Sequence, residues 1–467
     1  MRLDAIELKN FRCFEQLKVT FHPQMTVLIA TNGGGKTSIL DAVRIAVWPF
    51  VKGFDLGSQT GKSATIQIDD VRLEKQPNGN MEPKEKTEVN ATGVWDNNGQ
   101  VKTWLQWRDS IKKGTNSKGD ASTAELTNQY AKSMQKKVFE GKEQIDLPLI
   151  AYLGTGRLWY QSRYSSEAAD VVLSKNEYSR TSGYLNCLTQ SSSFKQFVDW
   201  YGWVYRSYRE AQILAIEKGI ELDESDSFFA QAIHVVKTSV NHLITKITGW
   251  RDIAYSAQYH QQLVLSHPEH GTLPLEMLSD GLRNMVAMVA DLAFRAFKLN
   301  PHLKKEAAER SRGIVLIDEV DMFLHPAWQQ TVLTSLHDAF PQIQFIVTTH
   351  SPQVLSTIHR DNIRIIKRDE DYSITALPPP EETVGVESQV VLNKVFETNP
   401  VPPVEAATWL NDYIAKIEDG SYPDDDGQKL RQQLLTLYGP NHAIILDADR
   451  LIRFQEFKSK KQAMRKE

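Results

Sequence analysis

Apolar and polar side chains alternate along residues 2–9 and again along 17–21, the pattern of paired strands buried on one face. Residues 25–30 form a short apolar run that ends at the glycine loop Gly33-Gly34-Gly35. From Lys36 the spacing turns helical through Ile39, Leu40, Val43 and Ile45 and runs to Trp48-Pro49. Residues 51–109 read as loops and short strands, at 64–73, 86–94 and 100–107, and the polar stretch 110–123 reads as a mobile loop. A helix is predicted near 124–139, a buried strand at 147–153, and two long helices at about 193–218 and 226–248. Strand-like pieces return over 251–276, then a helix at 279–299 and strands at 314–317 and 345–349. Beyond the proline runs at 378–380 and 400–403, helices are predicted near 404–418 and 427–438. The pattern divides the chain into an α/β part at 1–189, a helical insertion at 190–250, a returning α/β part at 251–376 and a helical region at 377–467, with no internal repeat.

Composition narrows the class without choosing a function. A formal net charge of −4 over 467 residues gives no global attraction to nucleic acid, so any such contact needs a local basic surface. Two cysteines, Cys13 and Cys187, are too few for a disulfide framework and suit a reducing compartment. No apolar run reaches the roughly 18 residues of a membrane span, and Met1-Arg2-Leu3-Asp4 lacks the plan of a signal peptide. The expectation is a cytoplasmic protein with no membrane partner.

The chemistry lies in three separated segments. Ala30-Thr31-Asn32-Gly33-Gly34-Gly35-Lys36-Thr37-Ser38 follows a strand and opens a helix, the context a phosphate-binding loop requires. Its glycines let backbone N–H groups approach phosphate oxygens, and the helix N-terminus favours anions. Lys36 would reach the β and γ phosphates of ATP, and the Thr37 hydroxyl would ligate Mg²⁺. Ala30 stands where that pattern has glycine. The buried strand Ile314–Ile317 delivers Asp318 to Mg²⁺ and Glu319 to the attacking water. His350, at the end of the next strand, is placed to touch the γ-phosphate. Between these halves lies Met277-Leu278-Ser279-Asp280-Gly281-Leu282-Arg283. Ser279 caps a helix whatever else it does; its hydroxyl and the Gly281 N–H are also candidates to face a phosphate. Arg12 and Arg157 are further candidate phosphate contacts from loops. The aromatic run from Phe194 to Arg209 falls at helical spacing, which favours a packed stripe over base stacking. The basic end 450–467 reads as solvated, and Asp447-Ala448-Asp449 as a structural carboxylate pair.

Taken together, Asn10-Phe11-Arg12, the glycine loop, Leu278–Arg283, Asp318-Glu319 with Leu324-His325-Pro326, and His350-Ser351-Pro352 resemble the ABC/SMC-like ATPases that include RecF and OLD proteins. More narrowly, residues 147–159, Arg180–Tyr184 and Thr383–Ser388 resemble the ATPase subunit of Septu and retron-associated anti-phage systems. The resemblance implies an α/β fold: a two-lobed ABC-type head with a mixed sheet around the phosphate loop, an antiparallel lobe, a short helical insertion and a helical C-terminal region that docks partners. It implies ATP and Mg²⁺ and a homodimer (or higher oligomer) in which Ser279 and Gly281 complete the partner's nucleotide site; no nuclease site is expected in the chain itself, because no convincing glutamate-bearing strand follows the ATPase strands and no HNH-like or Cys/His metal spacing occurs. It further implies a separate HNH nuclease gated by nucleotide state, with DNA, or the RNA and DNA of a retron, as further partners. The alternative is a RecF-like DNA-binding repair ATPase that needs no nuclease.

Overall fold

In the computed structural model the chain opens with an antiparallel pair, β1 (Arg2–Phe11) and β2 (Phe14–Thr20), followed by the wholly buried strand β3 (Met25–Ile29). Helix α1 (Lys36–Lys52) leaves the glycine loop, and β4 (Thr87–Val94) and β5 (Lys102–Arg108) return to β1. The antiparallel lobe has the order β2-β1-β4-β5, with the short strand Lys118–Gly119 at its edge. Burial alternates along β4, because one face packs inward and the other does not. From β5, Trp104 Nε1 donates to the Ala46 carbonyl of α1 at 2.7 Å, fixing the lobe to that helix. Helix α1 continues through Pro49 to Lys52, past its predicted end at Trp48-Pro49. Proline removes the N–H that would bond the carbonyl four residues back, and here that carbonyl, Ile45 O, accepts instead from Gln106 Nε2 of β5.

Helix α2 (Ala124–Glu140) precedes β6 (Leu149–Leu153). Two long helices, α3 (Phe194–Glu217) and α4 (Phe228–Thr248), lead to a three-stranded meander of β7 (Arg251–Ser256), β8 (Gln262–His267) and β9 (Gly271–Pro274). Helix α5 (Asp280–Leu299) follows and is buried along almost its whole length. The aromatic stripe of α3 is core: Phe197, Trp200 and Tyr201 are buried, and Trp200 meets Phe294 of α5 at a ring separation of 4.8 Å.

The central sheet adds β10 (Gly313–Ile317), β11 (Ile343–Thr348), β12 (Ile363–Arg368) and β13 (Ile374–Leu377), the last two not anticipated from the sequence. Its order is β13-β12-β3-β11-β10-β6, parallel except for β13. Strands β3, β6, β10 and β11 are buried at every position, which explains their mostly apolar sequence, with Thr26, Gln344 and Thr348 the buried polar exceptions. Because β3, β11 and β10 are neighbours running the same way, the segments after all three emerge side by side at one sheet edge.

The chain forms two units, Met1–Val391 and Leu392–Glu467. In the second, α7 (Glu405–Asp419), α8 (Asp425–Tyr438) and α9 (Ala443–Ala463), counted after α6 (Val332–Ala339), pack around Tyr413, Ile417, Leu434, Ile445 and Ala448. Asp447 pairs with Arg450, and Asp449 with Arg431. The structure describes all residues except 59–63, 97, 114–116, 121–123, 142–143, 159–177, 190–193, 223–226, 370, 372, 400 and 464–467. Among the described residues, no helix is long and apolar enough to cross a membrane.

Candidate nucleotide site

The glycine loop curls between the end of β3 and the start of α1. Gly33 and Gly35 take φ of 77° and 93°, a region in which side chains other than hydrogen are strained. Gly34 is required for space instead: a Cβ there would lie 2.7 Å from the Ala30 Cβ, so the loop accommodates alanine at its first position by keeping glycine at its fifth. Lys36 is buried and its Nζ donates to the Ala30 carbonyl at 3.1 Å, closing the loop. Burial lowers the Lys36 pKa, while Asp318, Glu319 and Asp321 oppose that shift.

Asp318 leaves β10 beside β11 at this edge. Its Oδ2 accepts from Thr37 Oγ1 at 3.0 Å and its Oδ1 from Thr348 Oγ1 at 2.6 Å. The same Thr348 hydroxyl accepts from the Glu319 N–H at 2.8 Å. One side chain on β11 thus holds both consecutive carboxylate residues that follow β10. Glu319 has φ of 50°, a left-handed backbone costly for this residue type, and the Thr348 bond helps to hold it. His350 follows β11; its imidazole is pushed below 6.5 by burial and by the nearby Lys36, against the carboxylates, so it is neutral at pH 7.

Arg12, also in the left-handed region with φ of 49°, reaches the loop from the β1–β2 turn. Its Nη1 pairs with Asp41 of α1 at 2.8 Å and its Nε with Asp70 at 2.8 Å, and Ser38 Oγ lies 3.4 Å from Nη1. Asn32, Gly33, Gly35, Lys36, Thr37 and Ser38 line a cleft of about 420 Å³. Arg12, Asp318, Glu319 and His350 line the same cleft, together with Cys13.

The remaining candidates lie elsewhere. Ser279 caps α5, its hydroxyl accepting from the Leu282 N–H at 3.4 Å, and is exposed. Gly281 is set by packing: a Cβ would come within 2.5 Å of the Phe323 carbonyl. Neither residue lines the cleft. Arg157 lies on the turn Thr155–Leu158 after β6, and its side chain is outside the described residues. Sequence reasoning passed over Thr348, Asp41, Asp70 and Cys13. Thr348 was within reach, since it stands two residues before His350, whereas Asp70 is brought to Arg12 from 58 positions away by the fold alone.

Thr37 Oγ1 and Asp318 Oδ2, both hard oxygens, are close enough to share a small divalent cation. Among the described residues no group of three His, Cys, Asp or Glu side chains is placed to hold a metal alone. This donor set fits Mg²⁺, which binds through one or two protein oxygens and takes the rest from phosphates and water.

A glycine loop at a helix N-terminus, facing a carboxylate pair at the edge of a parallel sheet, is an arrangement suited to a nucleoside triphosphate with Mg²⁺. A family model described as an AAA domain matches residues 5–228, and a second, described as "AAA domain, putative AbiEii toxin, Type IV TA system", matches 164–356. The chain is 25% identical to the Retron Ec83 probable ATPase of Escherichia coli, over 96% of this chain and 86% of that protein. It is 36% identical to the Septu protein PtuA of Bacillus mycoides over 31% of this chain and 23% of that protein. A solved SMC head bound to the C-winged helix domain of ScpA aligns with 81% of this chain and 98% of its own at 14% identity and a TM-score of 0.48. By sequence the chain is similar to a retron probable ATPase over nearly all of its length and to Septu PtuA over about a third of it, and both matching family models describe AAA domains.

Proposed function

We propose that this chain is the ATP-binding and ATP-hydrolysing subunit of an anti-phage defence complex, that two copies close around ATP, and that nucleotide state gates a separate HNH nuclease. The observation that supports this most directly is the division of the phosphate machinery. The loop, Asp318, Glu319 and His350 share one cleft, while the exposed start of α5 with Ser279 and Gly281 is off its lining. A second copy offering that helix start to the cleft would add a donor hydroxyl, an N–H and the helix dipole at the γ-phosphate.

In this reading Lys36 and the loop N–H groups bind the phosphates, and Thr37 with Asp318 holds Mg²⁺. Held there, the metal would supply charge neutralisation for the phosphates. Glu319 orients or deprotonates the attacking water, and neutral His350 contacts the γ-phosphate. Hydrolysis removes the group that Ser279 and Gly281 of the partner subunit hold, so the interface loosens. Residues 1–189 and 251–376 build the head around the 190–250 insertion, and 377–467 docks the nuclease. The defence role rests on the retron and Septu relatives, and the nuclease partner on the family resemblance.

The test uses Glu319→Gln, which keeps the shape of the side chain while removing its charge and its basicity. With Mg·ATP this variant doubles its mass in light scattering, and adding Ser279→Arg returns it to a monomer that still binds nucleotide. The co-expressed full chain retains a small HNH protein on purification. A Glu319→Gln protein that stays monomeric in saturating ATP, or one indifferent to Ser279→Arg, sinks the dimer; specific binding of gapped duplex DNA with no companion protein sinks the defence assignment.

A further inference from the structure

The Arg12 guanidinium does not wave freely at the mouth of the cleft. Asp41 and Asp70, whose side chains are 2% and 5% exposed, grip it from two directions. Asp41 is itself held from behind by Arg44, at 3.0 Å, and Arg44 stacks over the buried Tyr152 ring of β6. Asp70 ends the turn Ile68–Asp70, where its Oδ2 accepts from the Gln67 N–H at 2.7 Å. The backbone repeats the connection: Arg12 N–H donates to Asp70 O at 2.8 Å and Arg72 N–H to Asn10 O at 3.1 Å. Arg72 Nη1 also donates to Cys13 O at 2.7 Å, so the turn is clasped on both sides of Arg12.

We propose that Asp41 and Asp70 are positioning residues which hold Arg12 against the Ser38 end of the phosphate loop, so that its uncommitted donors bind the phosphates common to ATP and ADP. A guanidinium carries five N–H groups, and Nε and Nη1 account for both carboxylates. Among the described residues Nη2 has no protein partner, and it belongs to a group that lines the cleft. Two buried carboxylates on one arginine make sense if the arginine must stay planar and fixed while meeting an anion. Arg12 Nη1 lies 3.4 Å from Ser38 Oγ, two residues beyond Lys36, so Arg12 meets the loop past the lysine assigned to the β and γ phosphates. The contact survives hydrolysis, unlike those of His350 and Ser279. It also ties the 67–72 turn to nucleotide occupancy. The inference rests on the reading of the cleft as an ATP site.

The test is a double-mutant cycle on the full chain with Asp70→Asn and Arg12→Ala, read by Kd for Mg·ADP and Mg·ATP and by KM and kcat. Losing one charge-assisted bond is expected to weaken both nucleotides alike, by roughly tenfold, with KM raised by the same factor and kcat held within about twofold. Adding Asp70→Asn to Arg12→Ala changes nothing further, because the residue it positions is gone. Asp70→Glu, which keeps the charge, restores part of the affinity. If Asp70→Asn weakens nucleotide binding as much in the Arg12→Ala background as alone, or lowers kcat and leaves KM unchanged, the proposal is overturned. If the unmodified chain binds neither nucleotide, the ATP-site reading fails first, and the two failures are told apart.

Discussion

Replacing Thr348 by valine keeps the shape of the side chain and removes one oxygen from the centre of the site. That oxygen donates to Asp318 at 2.6 Å and accepts from the Glu319 N–H at 2.8 Å, and the residue is fully buried. A bond to a charged carboxylate contributes about 1.5–3 kcal/mol, and a buried N–H left without a partner costs a further 1–3 kcal/mol. A loss of roughly 2.5–6 kcal/mol falls on two adjacent carboxylate residues that depend on a left-handed backbone at Glu319. Thr37 still donates to Asp318, so nucleotide binding persists. If half of the lost energy is felt in the transition state, kcat drops by about tenfold or more. Steady-state ATP turnover with Kd for Mg·ATP measured alongside tests this, and Thr348→Ser is expected to recover most of the rate. A valine variant that turns over within twofold of the unmodified chain would refute the claim that Thr348 aligns the pair.

Gly281→Ala forces a methyl group against the Phe323 carbonyl at 2.5 Å, and since that neighbour is backbone the expected cost is about 1–3 kcal/mol; an unchanged melting temperature in scanning fluorimetry contradicts the close approach. For His350 the folded pKa lies below 6.5, so its contribution to stability is complete above that value and is lost as the pH falls through it. An NMR titration with His350→Gln as the assignment control shows an imidazole protonating below 6.5, and a midpoint above 6.5 reverses the sign. Chelating Mg²⁺ weakens ATP binding in the unmodified chain and much less in Thr37→Ala, because the hydroxyl paired with Asp318 is then missing; equal chelator sensitivity removes Thr37 from the metal site. Cys13 touches the cleft, yet burial raises its thiol pKa, so iodoacetamide labelling at pH 7 is slow; fast labelling contradicts that environment.

Much of this architecture is visible as pattern. Largely apolar runs at 25–29, 149–153, 313–317 and 343–348 become the strands buried on both faces. The glycines and Lys36-Thr37-Ser38 declare a phosphate loop because their use is local: backbone conformation, a helix start and a short lysine reach are encoded within nine residues. Ser279 announces its cap for the same reason. Strands β12 and β13 were missed because they are short, and 363–368 mixes arginine and lysine with its apolar residues. Helix α9 was missed where its pattern of Asp447, Asp449 and Arg450 drew attention to carboxylates instead of to Ile445, Ala448 and Ile452 on its packed side.

By itself the sequence determined the elements whose cause is near at hand: the loop, the buried strands, the long helices and the order of the chemical segments. Only the tertiary structure decided which side chains share an oxygen. Strand order places β11 between β3 and β10, and so makes Thr348 the bridge between Asp318 and Glu319, a relation no spacing encodes. The same holds for Asp70 at Arg12 and for Phe323 under Gly281, where contact depends on how separate elements pack. Local conformation follows from neighbours along the chain. Partnership across it follows from sheet register and close packing, which are properties of the whole fold.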